Sequence, residues 1–168
     1  MNNSESTKYF QTKLLGLCGN LHPVMDYVYT PKDAQNMRPH LKMLAGDYLS
    51  REKLSRQSQS SSHCLICDSK EAETYNHIIS RCRSLDAPRQ ILMNKLEQFC
   101  REQNINFIDQ IFNNEERTTQ FILDPTSMNL PVRVNINDEV LPELMNICRN
   151  LVKGLHCLRM KQMKQLKQ

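Results

Sequence analysis

The sequence predicts a mostly α-helical chain: several short amphipathic helices around a small cysteine–histidine cluster, with little or no sheet. Three observations carry that expectation. Apolar residues recur three and four apart along much of the chain, the spacing of one helix face. Glycine is scarce, four in 168 residues, which suits helices better than a turn-rich sheet protein. Between residues 64 and 82, three cysteines and a histidine stand as two pairs, Cys64-x2-Cys67 and His77-x4-Cys82.

Residues 1–7 are polar and expected to be disordered. Residues 10–17 allow a short helix. Thr30-Pro31-Lys32-Asp33 is a helix start: a threonine cap, proline at the first helical position, an acid at the third. Leu41, Leu44, Ala45, Tyr48 and Leu49 predict an amphipathic helix over 40–56, with Arg38-Pro39 beginning or kinking it. Lys42, Arg51, Lys53 and Arg56 then lie on its solvated face or near phosphate. Residues 57–62 read as a mobile polar linker, because serine and glutamine bury little surface.

Beyond the cluster, Ala87-Pro88 opens a helix whose stripe is Leu92, Leu96 and Phe99, and Gln103-Asn104 ends it. Ile105, Ile108, Ile111 and Phe112 mark a short helix. Asn113-Asn114 breaks it, and Asp124-Pro125 stops the next, over 115–123. Residues 131–137 alternate with period two, a strand-like pattern, though one strand alone is not stable. The last helix is expected over 139–165, opened by Asn137-Asp138, with Leu144, Cys148, Leu151, Leu155 and Leu158 on one face. Pro142 is tolerated in its first turn, and Gly154 weakens it by about 1 kcal/mol relative to alanine. Three regions result: an N-terminal segment (1–37), a central unit around the cluster (38–104), and a C-terminal helical region (105–168).

The cluster has the chemistry of a structural zinc site. Zinc in such sites is tetrahedral and takes thiolate and imidazole ligands. Cys64 and Cys67 supply two thiolates from one tight turn; His77 and Cys82 supply the other half. Four protein ligands leave no position for water or substrate. On an ideal helix, residues five apart point about 140° away from each other. The helix carrying His77 therefore starts near Thr74, its cap, and ends at or before Cys82, with Ile78 and Ile79 turned inward. Asp68, after the knuckle, is the residue expected to tolerate a left-handed turn. Other readings are a redox pair at Cys64 and Cys67, unrelated buried thiols, or His63 in place of His77.

These residues resemble the zinc-binding segment near the C-terminus of non-LTR retrotransposon reverse transcriptases. The pattern Cys64-x2-Cys67, then Glu73-Thr74-x-x-His77-x4-Cys82, is similar to that family's. Leu41-Lys-Met-Leu-Ala-Gly-Asp-Tyr-Leu49, with Arg51 and Arg56 after it, resembles the leucine-rich segment that precedes the site there. Phe121-Ile-Leu-Asp-Pro125 and the stretch from Cys148 to His156 resemble the family's segments C-terminal to the site. The similarity covers residues 38–163, and Arg83 stands where the family often has proline. No paired aspartate of a polymerase palm and no endonuclease block is legible. The resemblance thus implies a tail detached from both catalytic parts, with RNA or DNA as its partner.

Composition sets further bounds. Aromatics are 6% and tryptophan is absent, so the core rests on Leu, Ile and Met. A structural zinc, contributing roughly 10–16 kcal/mol in small peptides, would help it. The formal net charge is +4. Residues 144–168 hold six basic and no acidic residues; the remainder, with 16 basic and 18 acidic, nets −2. The candidate phosphate contacts are Arg81, Arg83 and Arg89 around the cluster, and Arg159, Lys161, Lys164 and Lys167 on the last helix. The same helix also reads as an ordinary solvated face or as a coiled-coil partner. No signal peptide or apolar run of ~20 residues is legible. An intracellular protein of nucleus or cytoplasm is expected, with Cys18, Cys100, Cys148 and Cys157 as free thiols and no membrane contact. No nucleophile–base set or carboxylate pair points to an enzyme or a small-molecule substrate. The alternative to nucleic-acid binding is a protein-interaction or vestigial domain with the same structural zinc.

Overall fold

The computed structural model describes residues 30–58, 60–128 and 136–166. Helix α1 (Pro31–Leu44) starts as its sequence requires. The Thr30 hydroxyl accepts from the Asp33 amide at 3.1 Å, and the Asp33 carboxylate accepts from the Thr30 amide at 3.1 Å, a reciprocal capping box. The helix runs through Pro39 and stops at Leu44. Gly46 then takes a left-handed φ of 70°, and the amides of Asp47 and Tyr48 both donate to the Lys42 carbonyl. This break corrects the single helix expected over 40–56. Its second half is a separate helix, α2 (Arg51–Ser58), which buries none of its residues. Residues 57 and 58 of the expected linker belong to α2. Ser61 and Ser62 are tied by their carbonyls, to the Arg51 guanidinium and the Glu73 amide.

A 3-10 turn (Arg83–Leu85) leads into α3 (Asp86–Glu102), and α4 (Ile108–Phe112) comes next. Asn114 caps α5 (Glu115–Leu123) by accepting from the Arg117 amide at 3.0 Å. Asp124 then caps a 3-10 turn (Pro125–Ser127) through the Thr126 amide. Helix α6 (Leu141–Gln165) has 25 residues and is about 37 Å long at 1.5 Å per residue. Among the described residues there is no β-strand, only an isolated antiparallel bridge between His63 and Ala72. The expected helix at 10–17 and most of the strand-like stretch, residues 131–135, lie outside the described residues.

Helix α6 is the spine. It packs against α1, α3 and α5, and also against the two turns that come after the cysteine knuckle. Its buried face is Leu144, Met145, Cys148, Leu151, Val152 and Leu155. Leu96, Phe99 and Cys100 of α3 and Phe121, Ile122 and Leu123 of α5 fill the same interior. Gly154 has a packing reason: a Cβ there would sit 3.1 Å from Leu92 Cδ1, so its absence lets α3 and α6 approach closely. His40 of α1 is buried and donates from Nε2 to the Leu123 carbonyl at 2.7 Å, joining α1 to the end of α5. Among the described residues no helix is long and apolar enough to cross a membrane.

Candidate metal centre

The four donors named from the sequence converge. One ligand atom from each of Cys64, Cys67, His77 and Cys82 lies within 4.8 Å of every other. Cys64 Sγ and Cys82 Sγ are 3.9 Å apart, and Cys67 Sγ lies 3.4 Å from His77 Nε2. Zinc-type bonds of about 2.3 Å to sulfur and 2.0–2.1 Å to nitrogen, at tetrahedral angles, require about 3.8 Å between sulfurs and about 3.5 Å from sulfur to nitrogen. These two separations match a tetrahedral ion. All four side chains are buried, and none of the cysteines is in a disulfide. His63 is exposed and outside the cluster.

The second pair meets through a local departure from the α-helix. The helical turn begins at residue 75, capped by the Thr74 hydroxyl, which accepts from the His77 amide at 3.0 Å. Over His77–Arg81 it widens into a π turn, closed by the Cys82 amide donating to the His77 carbonyl at 2.7 Å. That i to i+5 bond replaces the i to i+4 bond of an α-helix. Residue i+5 then returns toward the direction of residue i, so His77 and Cys82 face one point. Ile78 and Ile79 are buried on the other side. In the loop before it, the left-handed residue is Lys70, at φ 56°, and not Asp68.

Four side chains behind the donors support them. His77 donates from Nδ1 to the Glu71 carboxylate at 3.2 Å, leaving Nε2 for the ion. A carboxylate in that position fixes the tautomer and raises ligand basicity. Glu73 is 0% exposed, with one oxygen 3.7 Å from Cys64 Sγ. It accepts from the Arg51 amide at 2.8 Å and receives a two-pronged contact from Arg159, at 2.5 and 3.1 Å. Arg159, 4% exposed, also lies 5.5 Å over the Tyr48 ring. Arg89, buried too, donates to the carbonyls of Ser80 and Cys82 at the end of the π turn and pairs with Asp86 at 2.6 Å.

In the metal-free chain these contacts perturb the donors. Burial lowers the pKa of His77, but its bonds to Cys64, Glu71 and Cys67 outweigh that and raise it to about 9. The contact of Cys64 with Cys82, together with burial, pushes the Cys64 thiol up to about 12. An ion entering the site must displace those protons.

The basic residues singled out from the sequence separate into groups. Arg89 and Arg159 are turned inward and committed to the site's own support. Arg81 stands between Glu71 and Glu115, at 3.6 and 3.5 Å. Arg83, Lys161 and Lys164 are exposed and make no ion pair among the described residues. Lys167 lies outside the described residues. The Gln162 side chain donates to the Ser84 carbonyl at 3.1 Å, which sets the end of α6 against the Arg83–Leu85 turn. Comparison with family models, with curated proteins and with solved structures returned no match to this chain. Glu71 and Glu73 are the supporting acids that sequence reasoning did not single out on their own chemistry; their position on either side of Ala72, just before the Thr74 cap, was the signal.

Proposed function

We propose that this chain is a non-catalytic helical module stapled by one structural zinc ion, and that it contacts RNA or DNA through exposed basic side chains. The observation that carries the reading is the convergence of four buried protein donors, Cys3His, within 4.8 Å of one another. Thiolate with imidazole in a tetrahedral set favours zinc over the hard cations that prefer oxygen. Four protein ligands leave no open position, as structural sites require and catalytic sites avoid.

The nucleic-acid part rests on charge and placement. The Gln162–Ser84 bond sets the chain neighbours of Lys161 and Arg83 against each other, and Lys164 lies about one turn further along α6. Their charges are not neutralised by neighbouring acids among the described residues. Such cations bind phosphates with little sequence preference and strong salt dependence. The resemblance of the knuckle to the tail of non-LTR retrotransposon reverse transcriptases supports the same partner. A filter-binding titration with single-stranded RNA and duplex DNA at two salt concentrations tests it. Each duplex phosphate contact contributes about 0.9 to the slope of log affinity against log salt. Replacing Arg83, Lys161 and Lys164 with alanine should flatten that slope and weaken binding. Binding that is absent, or unchanged in the variant, would remove nucleic acid from the reading while leaving the zinc site standing.

A further inference from the structure

We infer that the groove between α1, the 45–54 segment and the C-terminal half of α6 docks an acid-flanked amphipathic helix from a partner protein. Two cavities, of about 520 and 540 Å³, share Lys42, Tyr48 and His156 and so form one trough along α6. On α6 it runs from Lys153 to Lys164, about 16 Å or three helical turns. Its apolar floor is Leu49, Leu54, Met160 and Met163. Leu49 is 52% exposed and Met160 40%, two of the five large apolar side chains on the described surface. Methionine is the adaptable residue of helix-binding grooves.

The charges around the trough select the partner. Arg38, Lys42, Lys153 and Lys164 line it, and among the described residues no carboxylate does. Arg159, the fifth cation, is already matched by Glu73. A helix that places Leu or Phe at i, i+3, i+4 and i+7 over the floor, with Asp or Glu on its flanks, satisfies both features. A nucleic-acid strand suits the site less well, because Tyr48 is buried with its hydroxyl bonded to His156 Nδ1 at 2.9 Å and offers no open ring face for base stacking. The trough shares Lys164 with the proposed nucleic-acid face but not Arg83 or Lys161, and Arg38, Lys42 and Lys153 belong to it alone, so competition between peptide and RNA distinguishes the two readings.

The test is a fluorescence anisotropy titration of the metal-loaded full chain with two helical peptides of about sixteen residues. They share one apolar face; one carries Glu on its flanks and the other Lys. The Glu-flanked peptide should bind about tenfold tighter or better. Met160→Asp and Leu49→Asp should each weaken it by about tenfold, with metal content and melting temperature unchanged. Lys42→Glu combined with Lys164→Glu should invert the preference between the peptides. Equal binding of the two peptides, binding of neither, or indifference to Met160→Asp would overturn the inference. Displacement of the Glu-flanked peptide by single-stranded RNA, or a chain dimer that Met160→Asp dissolves, would overturn it in favour of those occupants.

Discussion

Replacing Glu73 with alanine removes a carboxylate that holds three elements together. In the folded chain it receives Arg159 of α6 at 2.5 and 3.1 Å and the amide of Arg51, the first residue of α2, at 2.8 Å, beside the Cys64 sulfur. Glu73 is 0% and Arg159 4% exposed. The variant leaves the guanidinium buried without its counter-charge, which costs about 3–5 kcal/mol in comparable buried pairs. Single domains are stable by about 5–15 kcal/mol, so this is a large part of the total. With a urea m-value near 2 kcal/mol/M, the unfolding midpoint of the metal-loaded protein should fall by about 2 M. The second half of the experiment separates an unpaired charge from lost packing. Glu73→Leu combined with Arg159→Met replaces the pair by apolar side chains, which is often neutral or stabilising. The double variant should recover most of the loss, leaving about 1–3 kcal/mol for the orphaned Arg51 amide. A single-variant cost below about 1 kcal/mol, or no recovery in the double variant, would refute the assignment of Arg159 as a buried partner of Glu73.

Further predictions address the same site and its support. Cys82→Ser should abolish stoichiometric metal binding, measured by elemental analysis, and disorder the loop after Ser62, seen as loss of amide dispersion in NMR spectra. With His77 raised to about 9 and Cys64 to about 12, both hold protons at neutral pH in the metal-free chain. Zinc uptake should then release at least those two protons, read as a dependence of the calorimetric enthalpy on buffer ionisation heat. The raised His77 value also sets a sign for the metal-free chain: its contribution is complete below about 6.5 and is lost as pH rises through about 9. In the metal-loaded chain the dependence reverses, because acid competes with the ion, so chelator-free metal loss should appear on acidification. Gly154→Val should lower the melting temperature, by a destabilisation of about 1–3 kcal/mol, since its side chain would enter the contact with Leu92. Gly154→Ala should be nearly neutral, its helix gain of about 1 kcal/mol offset by that contact.

Local rules account for what was legible in the sequence. The capping box at Thr30, the Asn113-Asn114 break and the Asp124-Pro125 stop each use chemistry confined to four or five residues, and the helices obey them. The four metal donors were legible because few reasons other than a shared ion place three cysteines and a histidine at such spacings. The five-residue interval between His77 and Cys82 announced a distorted helix, but not that a π turn would provide it, because that depends on which carbonyl the Cys82 amide reaches. The break at Gly46 was visible as a Gly-Asp step inside an apolar period, yet the period ran through it and favoured one helix. Arg159 was misplaced for a different reason. A basic residue near a helix end looks the same whether its partner is a phosphate or a carboxylate 86 positions away, as Glu73 is from Arg159. Long-range pairing of that kind has no local signature.

Metal content of the protein purified without added zinc tests the central claim most directly. One equivalent of zinc per chain, with three sulfur neighbours at about 2.3 Å by X-ray absorption and loss of helical signal on chelation, is the predicted result. A metal-free protein that keeps its circular dichroism and its NMR dispersion in the presence of chelator would contradict it.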